Sequence, residues 1–343
     1  MMATAASSSP LRGVLVTGAT TPFGRALITD LLSRSEVEAV LAVALEREWT
    51  GPRDPRIRYL PCDLTRSRNL RDLLFGPARD LGITSVVHSA HHRSVRAHGR
   101  RVHALNVETT REILQLAERH PTIRRFVYLG SAEIYRIEPE LPALIGEDHP
   151  IEMSPEMPQR LRDRVEADMT VCTRMGLSPL SIAVLRVAEI FAPYSGSQLH
   201  DYVASNVCYR PLGYDPMLDV ISIADAVRAT VRALGVTAQG VFNIPGADVL
   251  PLSAAIEAAG RIGIPVPGPI IRPLYAARAL LRDTEFTWPL NRWRFRWSGV
   301  LDGTRAATTL SYTPQTPTWP RDTHRPSKPL DLQQFSSPPA NPP

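Results

Sequence analysis

A doubly wound α/β fold, a parallel sheet with helices on both faces and a small carboxyl-terminal substrate domain beside it, is what this sequence of 343 residues predicts. Three observations predict it. Val14-Leu15-Val16-Thr17 is a continuous apolar run that breaks at Gly18 and resumes as a helical pattern at Gly24. From Leu11 to about Pro193, short apolar runs alternate with longer helical patterns, the rhythm of a parallel sheet. Beyond Pro193 that rhythm loosens, as in a smaller domain laid over the carboxyl edge of the sheet.

The first strand, Gly13–Thr17, is unbroken in its apolar character, which suits a strand buried on both faces. Gly18 permits a tight turn, and Gly24 lets the next helix, Gly24–Ser33, pack closely on the strand. A helix entered this way presents unpaired N–H groups and its positive dipole end to a diphosphate. This is the form of a dinucleotide-binding loop in a Rossmann-type fold, with Thr20, Thr21 and Phe23 lining it. Thr21 stands where the commonest version, Thr-Gly-x-x-Gly-x-x-Gly, has its middle glycine. Strands are next expected at Ala39–Leu45, Ile57–Pro61, Ser85–Ser89, Phe126–Gly130 and Ser181–Arg186, with helices over Arg68–Phe75, His103–Arg119 and Arg160–Met175.

Past Pro193 the pattern predicts helices at Ile223–Leu234, Leu252–Gly263 and Ile271–Leu281, and a short strand near Val241–Ile244. Trp293-Arg294-Phe295-Arg296-Trp297 alternates aromatic and basic residues, which predicts an edge strand with rings on one face and guanidiniums on the other. Those rings either pack on the second domain or meet an anionic lipid or a sugar nucleotide diphosphate. The stretch Ile270–Arg282 is either a core-packed helix or a membrane-surface one. The domain reading is therefore an unstructured amino terminus at 1–10, a dinucleotide-binding domain over 11–193, a smaller domain interleaved with it over 194–312, and a tail at 313–343. The nine prolines and few apolar groups of that tail cannot offset the entropy of ordering it.

The net charge of +5 does not point to nucleic acid, because the positive residues are arginines scattered through every segment and Lys328 is the single lysine. Cys62, Cys172 and Cys208 form no Cys-x-x-Cys pair, which excludes a thiolate metal site and a disulfide framework and fits a reducing cytoplasm. The opening MMATAASSSP lacks an apolar core, so no secretory signal is expected. No apolar run approaches the roughly 18 residues that span a bilayer.

Five later landmarks follow the loop. They are Asp63-Leu64 after the third strand, Val87-His88-Ser89-Ala90, Asn106-Val107-Glu108-Thr109, the run from Phe126 through Ser131 and Glu133 to Tyr135, and Leu185-Arg186 continuing to Ala192-Pro193. In order and separation these resemble the extended short-chain dehydrogenase/reductase superfamily, in its NAD-dependent epimerase/dehydratase branch, over roughly residues 11–312. The resemblance implies that NAD or NADP is held by Gly18, Thr20, Thr21, Phe23 and Gly24. It further implies that Asp63 contacts the adenine beside Leu64, and that His88, Ser89, Ala90 and Asn106 line the cofactor. It implies a small-molecule substrate, a nucleotide sugar or a lipid-linked hydroxyl or ketone, and a homodimer.

In that family a serine or threonine, a tyrosine and a lysine move the proton. Ser131 matches the serine. Anchoring on Arg160-Leu161-Arg162-Asp163-Arg164-Val165-Glu166, which resembles "Y-x-x-D-K-x-E", puts Arg160 at the tyrosine position and Arg164 at the lysine position. Between Arg136 and Pro193 the sequence has neither tyrosine nor lysine. Arginine stays protonated, so Arg160 donates hydrogen bonds without taking a proton, while Arg164 retains the lysine's charge and can bond a ribose hydroxyl. Glu133, Tyr135, His91 and His92 are the stand-ins to weigh. Against them, Tyr135 matches a structural tyrosine of the family, and Glu133 and the histidines read as solvated loop residues. Asp63 and Ser131 also read as a helix cap and a turn serine. At the end of the second strand Ala44, Glu46 and Arg47 leave NAD and NADP both open. Two functions follow: an oxidoreductase or epimerase acting on a hydroxyl or ketone, or a cofactor-binding protein that has lost turnover and acts as a sensor or assembly partner.

Overall fold

The computed structural model describes residues 11–281 and 284–319. Seven parallel strands form the central sheet: β1 (Gly13–Thr17), β2 (Ala39–Ala44), β3 (Ile57–Pro61), β4 (Ser85–His88), β5 (Arg125–Ser131), β6 (Ser181–Val187) and β7 (Gly240–Ile244). Their spatial order is 3-2-1-4-5-6-7. The chain therefore reverses direction across the sheet between β1 and β4, and at such a switch point a crevice opens beyond the carboxyl ends of the strands. After the excursion that follows β6, the chain returns to the sheet at β7, which pairs with β6 in register from Gly240 with Ala183 to Ile244 with Val187.

Side-chain alternation on β1 explains the two helical layers. Val14 and Val16 face a core shared with α1 (Pro22–Leu32) and α2 (Ile223–Gly235), whereas Leu15 faces a core with Leu114 and Val171 on the opposite helices. In α1 the buried positions Phe23, Leu27, Ile28 and Leu31 recur at helical spacing. Thr21 caps this helix, its hydroxyl accepting from the Gly24 amide at 2.9 Å, and Pro22 opens it. The expected helix from His103 begins earlier, at Arg100, and passes through a wide turn at Ala104–Glu108 into Thr109–Glu118.

Three expectations are corrected. The helix expected over Leu252–Gly263 ends at Ala258, because Gly260 takes a left-handed φ of +67°, and the chain continues as the strand Ile262–Val266 beside Val207–Pro211. The expected edge strand at Trp293 to Trp297 is a helical turn, with the amides of Phe295 and Trp297 donating to the carbonyls of Asn291 and Trp293. Packing overrides alternation there: Phe295 is fully buried among Tyr202, Phe286 and Trp288. Finally, residues 313–319 dock on the body although the composition assigned them to an unstructured tail. The Asp225 carboxylate accepts from the Gln315 and Thr316 amides at 3.0 Å each, Asp248 accepts from the Trp319 amide at 3.0 Å, and the Trp319 ring lies 4.5 Å from that of Phe191. The expected unstructured stretches at 1–10 and 320–343 lie outside the described residues.

Among the described residues no helix is long and apolar enough to cross a membrane, no acid, histidine and cysteine cluster has metal-binding form, and the three cysteines are free. Because Trp319 is 4% exposed, Trp319→Ala should cost about 3 kcal/mol, read as a lower urea midpoint with an unchanged slope. Truncation after Tyr312 should lower stability at least as far.

Candidate active site

The site is built along the carboxyl edge of β1, β4, β5 and β6. Gly18 leaves β1 at a φ of +70°, and a Cβ there would stand 3.2 Å from the Ser89 carbonyl. A Cβ on Gly24 would stand 2.3 Å from the Gly18 carbonyl, closer than any side chain tolerates, so α1 approaches the loop only because both positions are glycine. This close-packed turn at the switch point fits the diphosphate of a dinucleotide. The donor set is nevertheless lean. Pro22 has no N–H, and the Gly24 amide is taken by Thr21, whose own amide and hydroxyl both donate to the Gly18 carbonyl. Phe23 keeps a first-turn amide with no acceptor in the helix. Beside the loop the Thr20 hydroxyl donates to Glu46 at 2.7 Å, which places a carboxylate just past β2 where a ribose diol is recognised.

Several of the expected cofactor residues also make bonds within the protein. His88 is fully buried between Thr17 and Thr110, at 2.9 and 3.0 Å, and burial pushes its imidazole down to about 4. Ser89 bonds the Thr17 carbonyl at 2.7 Å, tying β4 to β1. Ala90 closes the same junction through its amide, which Thr17 accepts. Asp63 caps its own turn, accepting from the Thr65 hydroxyl at 2.6 Å, and this bond holds its carboxyl below the usual range; Leu64 beside it is buried. Asn106 accepts from the His92 amide and donates to Asp163, whose other oxygen accepts from the His103 ring at 2.9 Å. Tyr135 is structural: its hydroxyl donates to Asn243 at 2.6 Å and accepts from Arg186, and burial pushes it up to about 12. Arg186 in turn grips the buried Asp168 through two bonds.

The centre of the cleft is lined by His91, Tyr128, Ser131, Glu133, Arg160 and Arg164. Ser131 ends β5, and its hydroxyl accepts from the Glu133 amide at 3.3 Å. Arg160 and Arg164 lie one turn apart on α3 (Gln159–Cys172), so both project to one face and converge on Glu133, at 3.5 and 2.9 Å. Glu133 is thus no solvated loop residue. Its burial raises the carboxyl, but the guanidiniums of Arg164 and Arg160 outweigh this and hold it at about 2. Burial, aided by Arg160, lowers Arg164 to about 10, which leaves it charged at neutral pH. Arg160 also donates to the Arg93 carbonyl and, at 2.8 Å, to the Gly196 carbonyl. A Cβ on Gly196 would meet the Arg93 carbonyl at 2.8 Å, so the loops after β4 and β6 close on one another around this guanidinium.

His91 is held neutral, pushed well below its usual value by burial and then by Arg164 and Arg160. Burial raises the Tyr128 phenol, so it stays protonated. Sequence reasoning did not single out Asp163, the Glu189 and Arg294 ion pair or the two carbonyls that hold Arg160. The one available signal was Asp163, next to Arg164 on a helix read as part of the site.

Comparison with known proteins places this geometry. A sequence model of the NAD dependent epimerase/dehydratase family matches residues 14–244. The chain is 28% identical over 309 residues to the uncharacterized protein Rv0501 of Mycobacterium tuberculosis (strain ATCC 25618 / H37Rv), covering 88% of this chain and 80% of that one. Among solved structures, MoeE5 in complex with UDP-glucose and NAD superposes with a TM-score of 0.66 at 20% identity, over 89% of this chain and 94% of that one. The UDP-glucuronic acid 4-epimerase from Bacillus cereus in complex with NAD does so with a TM-score of 0.63 at 18% identity, over 89% and 92%.

Replacing Glu133 by glutamine removes the counter-charge of the buried Arg160 and the partly buried Arg164, so Glu133→Gln should cost about 3 kcal/mol at neutral pH. The carboxyl is depressed from 4.5 to about 2 by folding, so its contribution is complete above about pH 4.5 and disappears as the pH falls toward 2. Urea midpoints of wild type and variant should therefore converge over that window.

Proposed function

This chain belongs to the NAD-dependent epimerase/dehydratase family, and from that premise we propose that it binds NAD and a nucleotide sugar while lacking the family's proton shuttle. The observation that carries this reading is the ion triad of Glu133, buried Arg160 and partly buried Arg164 at the end of the dinucleotide groove. Proton transfer at neutral pH needs a group that exists in both states. Glu133 at about 2 is always ionised, Arg164 at about 10 is always charged, and Tyr128 stays protonated. Nothing in the triad takes and returns a proton. NAD, when bound, supplies a hydride-accepting ring for oxidising a hydroxyl; this chain's residues bind and orient it without moving the accompanying proton.

Each residue then has a binding role. Gly18, Gly24 and the Phe23 amide take the diphosphate, and Arg164 beside Ser131 reaches the nicotinamide ribose or the sugar. Glu46 selects NAD, because a carboxylate accepts from a ribose diol and repels a 2′-phosphate. The UDP-glucose and UDP-glucuronic acid in the neighbours' complexes support a nucleotide sugar as the second ligand. A protein of this kind reports cofactor or sugar nucleotide levels, or holds them for a partner. A second reading, turnover with His91 as base, is favoured by the place of that imidazole in the cleft lining together with Ser131.

Calorimetry tests the binding claim. NAD should bind, and NADP at least tenfold more weakly, about 1.4 kcal/mol. Glu46→Gln should narrow that preference. Gly18→Val, with a φ of +70° and carbonyl contact at 3.2 Å, should weaken NAD at least tenfold. Absence of binding by wild type that is folded by circular dichroism would reject the reading, and steady turnover of a nucleotide sugar that His91→Ala abolishes would install the second one.

A further inference from the structure

The carboxyl-terminal lobe presents an apolar face that no described part of the chain covers. Among the described residues, strand Ile262–Val266 pairs only with Val207–Pro211, and none of them takes its other edge. Ile262 is 63% and Ile264 39% exposed, while Gly263 between them faces Ile256, so alternation puts both isoleucines on the outer surface. The helix Gly268–Leu281 follows directly. Its inner side is settled by Ile271 and Tyr275, both buried, the Tyr275 hydroxyl bonding the amide and carbonyl of Tyr209. A second arc is apolar as well: Ile270 is 48% and Leu280 89% exposed, with Ala277 between them at helical spacing. A helix apolar on two sides and buried on one leaves a side without a partner.

Charge identifies the partner. Residues 258–281 contain three arginines and no aspartate or glutamate; Arg272 is exposed, Arg261 and Arg278 donate to the Val203 and Val207 carbonyls, and Arg210 on the paired strand adds another cation. Two copies meeting through this face would oppose their arginines with no carboxylate in the segment to pair them. Phosphate headgroups above an acyl layer complement both the charge and the apolar arc. We propose that this face docks on an anionic lipid surface, with Ile264, Ile270 and Leu280 entering the headgroup boundary and Arg272 engaging phosphate. Such docking places the dinucleotide cleft beside a membrane without any spanning segment.

Co-sedimentation of the full chain with vesicles tests this. Vesicles of phosphatidylcholine with phosphatidylglycerol should retain the protein, phosphatidylcholine alone should not, and added salt should weaken retention. Leu280→Glu with Ile270→Glu should abolish it, and Arg272→Glu should reduce it roughly fivefold or more. Thermal melts of these variants should match wild type, because the changed side chains are exposed. Failure of the anionic vesicles to bind, or binding indifferent to these substitutions, overturns the proposal. A dimer detected by light scattering that Leu280→Glu dissociates would assign the face to a second copy and overturn it equally.

Discussion

Two guanidiniums converging on one partly buried carboxylate are the constraint around which the rest of the site is arranged. Burying three charges is expensive, and the attraction among them offsets that cost only where geometry is good and the remaining donors are satisfied. Here Arg164 contacts Glu133 at 2.9 Å, and Arg160 spends its other donors on the carbonyls of Arg93 and Gly196. The consequence is mechanical as much as electrostatic. A single side chain ties the loop after β4, the end of β5 and the loop after β6 to α3, at the place where the fold opens its crevice. What stands there is a cross-link, and a group that holds three loops together is poorly suited to cycling between protonation states.

The same economy of donors runs through the cofactor loop. Thr21 gives α1 a hydroxyl cap but occupies the Gly24 amide, and Pro22 removes another donor. The loop keeps the tight contacts that only Gly18 and Gly24 permit, yet it leaves fewer amides for a diphosphate than a loop with a third glycine. Stability of the turn and strength of anion binding have been traded against each other in one segment. Beyond the sheet, two aspartates perform comparable service: Asp225 and Asp248 accept from the backbone of residues 315–319 and hold that segment against α2 and the second lobe.

The parallel sheet was legible because its inner strands β1 and β2, buried on both faces, read as uninterrupted apolar runs, and because Gly18 and Gly24 stand where backbone contact requires glycine. Arg160 and Arg164 could be placed on one helical face from their spacing alone. Their partner could not, since Glu133 sits on a short turn after β5 and only the folded chain brings it within reach of a helix nearly thirty residues later. Trp293 to Trp297 alternates like a strand, but burial of Phe295 decided its conformation. Residues 313–319 looked unstructured because their anchors, Tyr312 and Trp319, are widely spaced and their backbone bonds go to distant carboxylates. Periodicity reports faces; it carries no information about a partner outside the window.

If the triad has displaced the proton shuttle, restoring the shuttle should restore chemistry. The direct measurement is turnover of UDP-sugars with NAD by the wild type and by the double variant Arg160→Tyr with Arg164→Lys, followed through the reduced-nicotinamide absorbance and by product analysis. General acid/base catalysis contributes about a hundredfold to ten-thousandfold, so a gain should stand clear of background. The account predicts no turnover by the wild type and measurable activity in the variant. Robust wild-type turnover that survives replacing both arginines by alanine would contradict it.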